Sequence, residues 1–234
     1  MVNITYFDEV TSTNDVAIDL AKKGAAHFSC ISALRQTAGR GRRGKIWTTI
    51  PNKSIACSVV LRENVNQLLP LVASLAVYDV LSKYVDCSIK WPNDILVNEK
   101  KISGILAEKC GTGDHAFYVL GVGINVKKFN IDDLNIIGTS IENEIGSLVS
   151  LDTILNDFLS SLSARIVQSQ VDFLADYRLR CATIGQAITW VSDDATLKGI
   201  AKKVTDSGSL ILEVDGYNHE IMSGEIVVQS SKRI

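Results

Sequence analysis

The residues best able to do chemistry are concentrated between Gln36 and Trp47, in the segment QTAGRGRRGKIW. Between Arg35 and Lys45 the chain carries five positive charges and three glycines but no acidic residue. Glycine lets backbone N–H groups approach a ligand closely, and the planar guanidinium of arginine matches the oxygens of a carboxylate or a phosphate. This basic loop, residues 36–47, is therefore expected to close over an anion such as a phosphate or an acyl phosphate.

Two nucleotide-binding motifs can be drawn on the same glycines, and both are disfavoured. Gly39-x-Gly41-x-x-Gly44 has the spacing of the dinucleotide fingerprint, but β-branched residues and a proline follow where that motif opens a helix. The spacing from Gly39 to Lys45 also fits a Walker A loop, but Ile46 stands where the hydroxyl residue for Mg²⁺ is needed. An Arg/Gly patch for nucleic acid is a third interpretation. The net charge of −2 disfavours it, because neutralising phosphates requires many basic groups on one face.

A second polar group is predicted around a β-hairpin. Two strand-like runs between 95 and 106 are joined by a turn at 98–100. The flanks of this hairpin are expected to bring Asn93, Asp94 and Lys101 close together. An amide, a carboxylate and an ammonium beside an aliphatic sheet suggest a site, although a surface ion pair across a hairpin would have the same pattern.

Two further stretches have both a structural and a functional interpretation. Ser12, Thr13 and Asn14 open a predicted helix, where they are good N-caps, but three polar side chains at a helix start could also line a pocket. In GVGINV, residues 121–126, small residues alternate with apolar ones. Such a strand could pass close to a flat ligand, with Asn125 as its polar contact, or could be a tightly packed core strand.

The rest of the chain supplies the elements that position these groups. Strands are predicted at 3–8, 28–34, 54–61 and 115–120, and helices at 11–24, 68–84 and 151–177, the last broken near Val171. From 184 onward, four or five short strands separated by turns such as Ser207-Gly208 and Asp215-Gly216 predict a small β-barrel. We therefore expect two domains, 1–182 and 183–234.

Composition limits the class of protein. The chain has 234 residues, of which 46% are hydrophobic and 21% charged, as in ordinary globular proteins. Its five cysteines are widely spaced and include no C-x-x-C pair, so we expect small buried thiols in a reducing compartment. No signal peptide is evident, and the longest apolar run, 68–81, is too short to span a bilayer. These features favour a cytoplasmic enzyme without a membrane partner.

Taken in order, the motifs resemble those of the biotin protein ligase family. The residues that carry the resemblance are Ser12-Thr13-Asn14, the loop from Gly39 to Gly44, Lys90-Trp91-Pro92-Asn93-Asp94, Lys101-x-x-Gly104-Ile105-Leu106 and Gly121-Val122-Gly123-Ile124-Asn125. The resemblance implies an α+β fold: a class II synthetase-like mixed sheet covered by helices, with an SH3-like C-terminal barrel. It also implies a two-step reaction, in which biotin is activated with Mg·ATP to biotinyl-5′-AMP and then transferred to a lysine of a carrier protein.

The resemblance also implies roles for individual residues. Four of them, Ser12, Thr13, Asn14 and Gln36, would bind the ureido end of biotin. Its carboxylate and the phosphate would face Arg40, Gly41, Arg42 and Lys101. ATP would be bound by Arg43, Lys45, Trp47, Lys90, Asn93 and Asn125. Arg40 and Lys101 would act in catalysis, and Asp94 would either orient the carrier amine or pair with Arg42 or Lys101 to hold the pocket together.

The same resemblance sets expectations about partners. We expect a biotin carboxyl carrier protein or domain as the acceptor, no tightly bound prosthetic group and no sequence-specific DNA, because the chain starts at the catalytic motifs without a helix-turn-helix. The Mg²⁺ ligands and a homodimer are left open. Lys45 departs from the family, which more often has arginine there, and so loses a bidentate fork. Lipoate protein ligase, which shares the architecture and the adenylate chemistry, is the nearest alternative.

Overall fold

The computed structural model describes residues 3–62, 65, 68–113, 116–129, 138–192 and 195–228. Within these residues the strands are β1 (Ile4–Val10), β2 (Cys30–Gln36), β3 (Ser54–Leu61), β4 (Ser88–Lys90), β5 (Asp94–Val97), β6 (Lys100–Cys110), β7 (Phe117–Asn125), β8 (Ala187–Val191), β9 (Thr196–Val204), β10 (Leu210–Val214), β11 (Tyr217–Ile221) and β12 (Glu225–Val228). The helices are α1 (Thr13–Lys22), α2 (Leu69–Leu81), α3 (Ile141–Ile145), α4 (Leu151–Ile166) and α5 (Gln170–Arg180). No described helix is both long and apolar enough to cross a membrane.

The first seven strands form one mixed sheet in the order β1-β2-β3-β7-β6-β5-β4. β1 and β2 are parallel and the other neighbours are antiparallel. All eight residues of β3 are buried, as expected for a central strand covered on both faces. The predicted α+β architecture with a helix-covered mixed sheet is thus confirmed.

Helices cover the sheet unequally. On one face, Ala17 and Ala21 of α1 pack against Ile31, Val60 and Val119 in a small apolar cluster. The larger cluster on the other face contains α2, α4 and α5, and α2 is buried almost all round, which explains its continuous apolar sequence. The start of α1 therefore lies over Ser58 of β3 and Gly121 of β7, at the edge of the small cluster.

The predicted C-terminal β domain is confirmed as a five-stranded antiparallel sheet in the order β11-β10-β9-β8-β12. Its inner residues, among them Ile188, Ala201 and Leu212, belong to the same apolar cluster as α2. Polar contacts also join the two parts of the chain. The indole nitrogen of Trp91 donates to the carbonyl of Gly208 at 2.9 Å.

The predicted hairpin turn is present, but several helix and strand boundaries differ from the sequence expectations. The β5–β6 turn has Asn98 and Glu99 at positive φ, as a type I′ turn requires. The long C-terminal helix breaks earlier than the predicted position at Val171, because the Ser169 hydroxyl caps α5 by accepting from the backbone N–H of Asp172. Neither β4 nor α3 was predicted. Asp114 and the predicted strand start at His115 lie outside the described residues.

The five cysteines are free thiols. Cys30, Cys57, Cys87 and Cys181 are buried and Cys110 is half-buried, in agreement with the expectation of small buried side chains. Burial raises the pKa of the Cys87 thiol to about 12, which makes it unreactive at neutral pH.

Candidate active site

A pocket lies between the basic loop and the face of the sheet that carries the start of α1. Its walls come from α1, β2, β3, β6, β7 and the loop: Ser12, Thr13, Asn14, Gln36, Arg40, Gly41, Arg42, Trp47, Cys57, Asn93, Lys101, Gly104, Ile105, Leu106, Gly121, Val122 and Gly123. This set contains all four side chains predicted to bind a ureido group. It also contains all four residues predicted to face an anion. The chain therefore brings the two predicted groups of side chains into one cavity.

One end of the pocket is an uncharged polar cluster, formed by Thr13, Asn14, Gln36, Thr49 and Ser58. Gln36 Oε1 accepts from the backbone N–H of Thr13 at 2.8 Å and from its hydroxyl at 3.0 Å. Gln36 Nε2 donates to Thr49 Oγ1 at 3.1 Å. These bonds fix the Gln36 amide, since only its oxygen can accept the backbone N–H of Thr13.

The cluster continues across the sheet through β3. The Ser58 hydroxyl lies 2.6 Å from Asn14 Oδ1 and 2.8 Å from Thr13 Oγ1, and its single proton reaches one of them at a time. Ser58 is fully buried and Asn14 nearly so. Several acceptor lone pairs thus lie buried among neutral side chains, with the nearby Glu108 carboxylate bonded to the Asn14 NH₂ group, and this arrangement suits a neutral ligand with N–H donors.

Glycine makes room for this cluster. A Cβ on Gly121 would lie 2.3 Å from Asn14 Oδ1, too close for any neighbour. A Cβ on Gly123 would lie 2.1 Å from the indole of Trp47, so the ring packs directly on the backbone of β7. The same ring faces Gly104 on β6, and its Nε1 is buried without a hydrogen-bond partner among the described residues. Glycine at these positions therefore provides a flat floor between the two ends of the pocket.

The other end of the pocket is cationic. Arg42 Nη1 donates to Asn93 Oδ1 at 3.0 Å, and Asn93 Nδ2 donates to the carbonyl of Ile105 at 2.6 Å. Burial lowers the pKa of Arg42, and the charge of Asp94 partly offsets this effect. Lys101 Nζ pairs with Asp94 Oδ1 at 2.6 Å and lies 5.7 Å from the centre of the Trp47 ring.

Arg40 has a different environment from Arg42. Its guanidinium pairs with Asp15 through Nη1 and with Glu108 through Nη2, the latter at 2.9 and 3.2 Å. Burial, the largest single influence, lowers the pKa of Arg40, but the bonds to Glu108 and Asp15 together raise it above the ordinary value. Arg40 thus lies between two carboxylates on the pocket wall.

The remaining predicted site residues surround the pocket rather than line it. Asn125 faces an adjoining cavity that also contacts Trp47 and Lys101, and its Nδ2 donates to the carbonyl of Thr139 at 3.0 Å. Lys90 lies opposite Asp94 in the pairing of β4 with β5, and burial lowers its pKa.

The loop itself forms a short 3₁₀ turn, Arg42–Gly44. Within it Arg43 is exposed, and Lys45 pairs with Glu225 of the C-terminal sheet. Arg43, Lys45 and Lys90 thus stand outside the residues that line the pocket, beside its cationic end.

Four residues of the polar network were not predicted from the sequence: Asp15, Thr49, Ser58 and Glu108. Ser58 could have been noticed as a hydroxyl in the middle of a strand that is otherwise apolar. Glu108 follows Leu106 in the second hairpin strand, and nothing local distinguishes it from an exposed strand residue. Among the described residues, no three His, Cys, Asp or Glu side chains are grouped closely enough to hold a metal ion.

Comparison with known proteins gives consistent matches over nearly the whole chain. The sequence model of the biotin/lipoate A/B protein ligase family matches residues 6–125. The model of the biotin protein ligase C-terminal domain matches residues 183–228. The biotin–[acetyl-CoA-carboxylase] ligase of Mycobacterium tuberculosis is 32% identical, covering 94% of this chain and 88% of the relative. The corresponding ligase of Paracoccus denitrificans is 33% identical, covering 92% and 96%.

A solved structure is similar over the same extent. The biotin protein ligase from Aquifex aeolicus in complex with biotin and ATP has a TM-score of 0.84 and 25% identity, and the match covers 99% of this chain and 100% of that one. The similarity therefore extends through both the seven-stranded sheet and the five-stranded one.

Proposed function

This chain belongs to the biotin/lipoate A/B protein ligase family and is an ATP-dependent biotin ligase, and we propose that the pocket described above carries out both steps of its reaction. The observation that carries the proposal is the division of one pocket into an uncharged polar end and a cationic end, joined by a glycine floor. Biotin has the matching division, with a neutral cyclic urea at one end and a carboxylate at the other.

In the first step the carboxylate oxygen of biotin attacks the α-phosphorus of ATP, and the bond from that phosphorus to the bridging oxygen of pyrophosphate breaks. Negative charge is concentrated on the phosphoryl oxygens as this happens. Arg42 and Lys101 are suited to stabilise it, because fixed cations in a partly buried site act more strongly than in water. Arg42 donates to the neutral amide of Asn93, and no carboxylate among the described residues is bonded to it, so its charge is available to a phosphate.

In the second step the carrier lysine attacks the acyl carbon of biotinyl-5′-AMP, the bond from carbon to the phosphate oxygen breaks, and AMP leaves. The amine has an unperturbed pKa of about 10.4 and must lose a proton as the new bond forms. Asp94 is the candidate acceptor or orienter. Once the phosphate of the adenylate engages Lys101, the Asp94 carboxylate is released from that ion pair and can meet the incoming amine.

The proposal extends to the roles predicted from sequence for Trp47, Asn93 and Asn125 on the nucleotide side, with Arg43, Lys45 and Lys90 contributing charge toward the triphosphate. Mg²⁺ is proposed to arrive with ATP, and no residue of the pocket is assigned to it. The acceptor is proposed to be a biotin carboxyl carrier protein or domain, in the cytoplasm.

We further propose that the chain divides into two domains, 1–182 and 183–234. We also propose that it does not bind DNA sequence-specifically, which its net charge of −2 favours.

The test is biotin-dependent exchange of labelled pyrophosphate into ATP, followed by transfer of labelled biotin from isolated biotinyl-5′-AMP to a carrier domain. Lipoate serves as the competing substrate. It has no ureido group, so the polar cluster would remain unpaired, at a cost of about 1–3 kcal/mol per buried group. We expect exchange with biotin and at least about 100-fold lower efficiency with lipoate. Equal turnover of the two acids would overturn the assignment of the pocket.

A further inference from the structure

The role of Arg40 follows from its partners. Arg40 contacts Asp15 and Glu108, so the three side chains together carry a net charge of −1. An incoming carboxylate or phosphate that bound this guanidinium would have to displace two carboxylates or approach a negatively charged group. Arg42, whose bonded partner is neutral, presents no such obstacle.

Glu108 connects Arg40 to the polar cluster. Its Oε2 accepts from Arg40 Nη2 at 2.9 Å and from Asn14 Nδ2 at 2.5 Å. A carboxylate can only accept hydrogen bonds, so Asn14 must turn its NH₂ group toward Glu108 and its oxygen the other way. Asn14 Oδ1 then lies 2.6 Å from the Ser58 hydroxyl, inside the uncharged end of the pocket.

We propose that Arg40 and Glu108 are positioning residues for the ureido end of the ligand: Arg40 holds the Glu108 carboxylate, and Glu108 sets the Asn14 amide so that Oδ1 accepts from a cyclic urea N–H. Asp15 anchors the other side of the same guanidinium. This inference rests on the proposed function, and it replaces the expectation that the Arg40 side chain faces the carboxylate and the phosphate.

The arrangement accounts for two observations together. Asn14 is nearly fully buried, and a Cβ at Gly121 would collide with its oxygen, so packing holds the plane of the amide and leaves hydrogen bonding to decide which side carries the oxygen. A glutamine at 108 could present either an oxygen or an NH₂ group and would no longer select one orientation of Asn14. The charge at 108, rather than its size, is therefore what the site uses.

The test measures pyrophosphate exchange for Glu108→Gln, Arg40→Gln and the double variant. We expect each single variant to raise the KM for biotin about 10-fold, with the KM for ATP within about 2-fold of wild type and the rate at saturating biotin lowered less than about 3-fold. Because both residues act through one network, the double variant should also raise the KM for biotin by about 10-fold rather than about 100-fold. Arg40→Lys, which retains one ion pair, should have a smaller effect than Arg40→Gln.

Asp157→Asn is the matched control, because it removes a carboxylate from an exposed ion pair with Lys83 and should leave all three parameters unchanged. A rate at saturating biotin that falls about 100-fold in Arg40→Gln with an unchanged KM for biotin would overturn the inference, as would additive effects in the double variant. Absence of biotin-dependent exchange in the wild type would instead refute the proposed function. Thermal melts confirm that each variant is folded.

Discussion

Lys101 Nζ and Asp94 Oδ1 lie 2.6 Å apart, across the strands β5 and β6 of the hairpin. Both groups are partly buried, so the pair is screened less than a surface pair and holds Lys101 beside the Trp47 ring. Asp94 therefore neutralises locally the cation that we propose to bind the phosphate. Binding of the adenylate would exchange one partner of Lys101 for another.

The first prediction concerns this pair. Asp94→Asn should slow transfer of biotin from preformed biotinyl-5′-AMP to a carrier domain by about 100-fold, because the released carboxylate no longer meets the amine. Pyrophosphate exchange, which needs no amine, should fall much less. The two half-reactions are measured separately by single-turnover transfer and by isotope exchange.

A purely structural role for Asp94 predicts the opposite kinetic pattern. If Asp94 only holds Lys101 in place, exchange should collapse while transfer from supplied adenylate stays near wild type. That result would remove Asp94 from the transfer step and assign it to the structure of the pocket.

The second prediction concerns the glycine floor. Gly121→Ala places a methyl group 2.3 Å from Asn14 Oδ1, so Asn14 must move out of the polar cluster. We expect the dissociation constant for biotin, measured by calorimetry, to rise at least about 10-fold. Gly24→Ala is the control, since its Cβ would meet nothing within 4 Å. The control should lose about 1 kcal/mol of stability from its positive φ and bind biotin as wild type does; equal binding by both variants would contradict the prediction.

The third prediction concerns the basic loop. Arg43 is exposed and has φ at 53°, and like charges surround it, so trypsin should cleave after this residue early in the absence of ligand. Biotin with ATP supplies the counter-charge and should slow this cleavage at least about 5-fold. Cleavage after Lys23, an exposed residue at the end of α1, gives the internal reference. Mass spectrometry of the fragments distinguishes the two sites, and an unchanged ratio between them would refute closure of the loop.

The fourth prediction concerns the core between α2, α4 and α5. Arg165 donates to Asp79 at 2.7 and 2.8 Å and to Asp176 at 2.5 Å, and its side chain is only 11% exposed. Arg165→Gln should lower the free energy of unfolding by about 2 kcal/mol at pH 7. Lys83→Gln, which removes an exposed ion pair, should cost less than about 0.5 kcal/mol. Urea titrations measure both, and equal losses would contradict the assignment.

The pH dependence of this loss has a defined sign. The hydrogen bond from Arg165 is the largest cause of the lowered pKa of Asp176. A carboxylate whose folded pKa is depressed contributes stability above its unfolded pKa of about 3.9 and loses it as the pH falls through the folded pKa. The difference between wild type and Arg165→Gln should therefore be constant from about pH 5 to 8 and narrow below about pH 4.

Much of the site could be predicted because its residues are unusual for their local structure. Three consecutive polar residues at Ser12–Asn14 and a loop rich in arginine and glycine exceed what caps and turns require. Gly121 and Gly123 interrupt a strand that is otherwise mostly apolar, which made a close approach of another group one of two interpretations. Local chemistry made these positions candidates, and the family resemblance was needed to choose the binding interpretation over capping and core packing.

The remainder of the site depends on register, which the sequence does not specify locally. Glu108 meets Asn14 only because β6 extends six residues beyond its pairing with β5 and lies beside β7 under the start of α1. The same long-range placement puts Ser58 under Thr13. For this reason the partners of Arg40 could not be predicted from the sequence. The positive charge of the basic loop by itself indicated an anion site.

The hydrogen bond from Trp91 to Gly208 affects how the protein unfolds. Trp91 is buried, its backbone N–H donates to Thr183 Oγ1 at 3.0 Å, and it directly precedes the segment that carries Asn93 and Asp94. Because the apolar cluster is continuous across position 182, separating the C-terminal sheet would expose hydrocarbon on both sides and leave the indole N–H without its acceptor. The two parts should therefore exchange their amide protons with solvent through one shared opening event, and Asn93 and Asp94 would lose their positions in that same event.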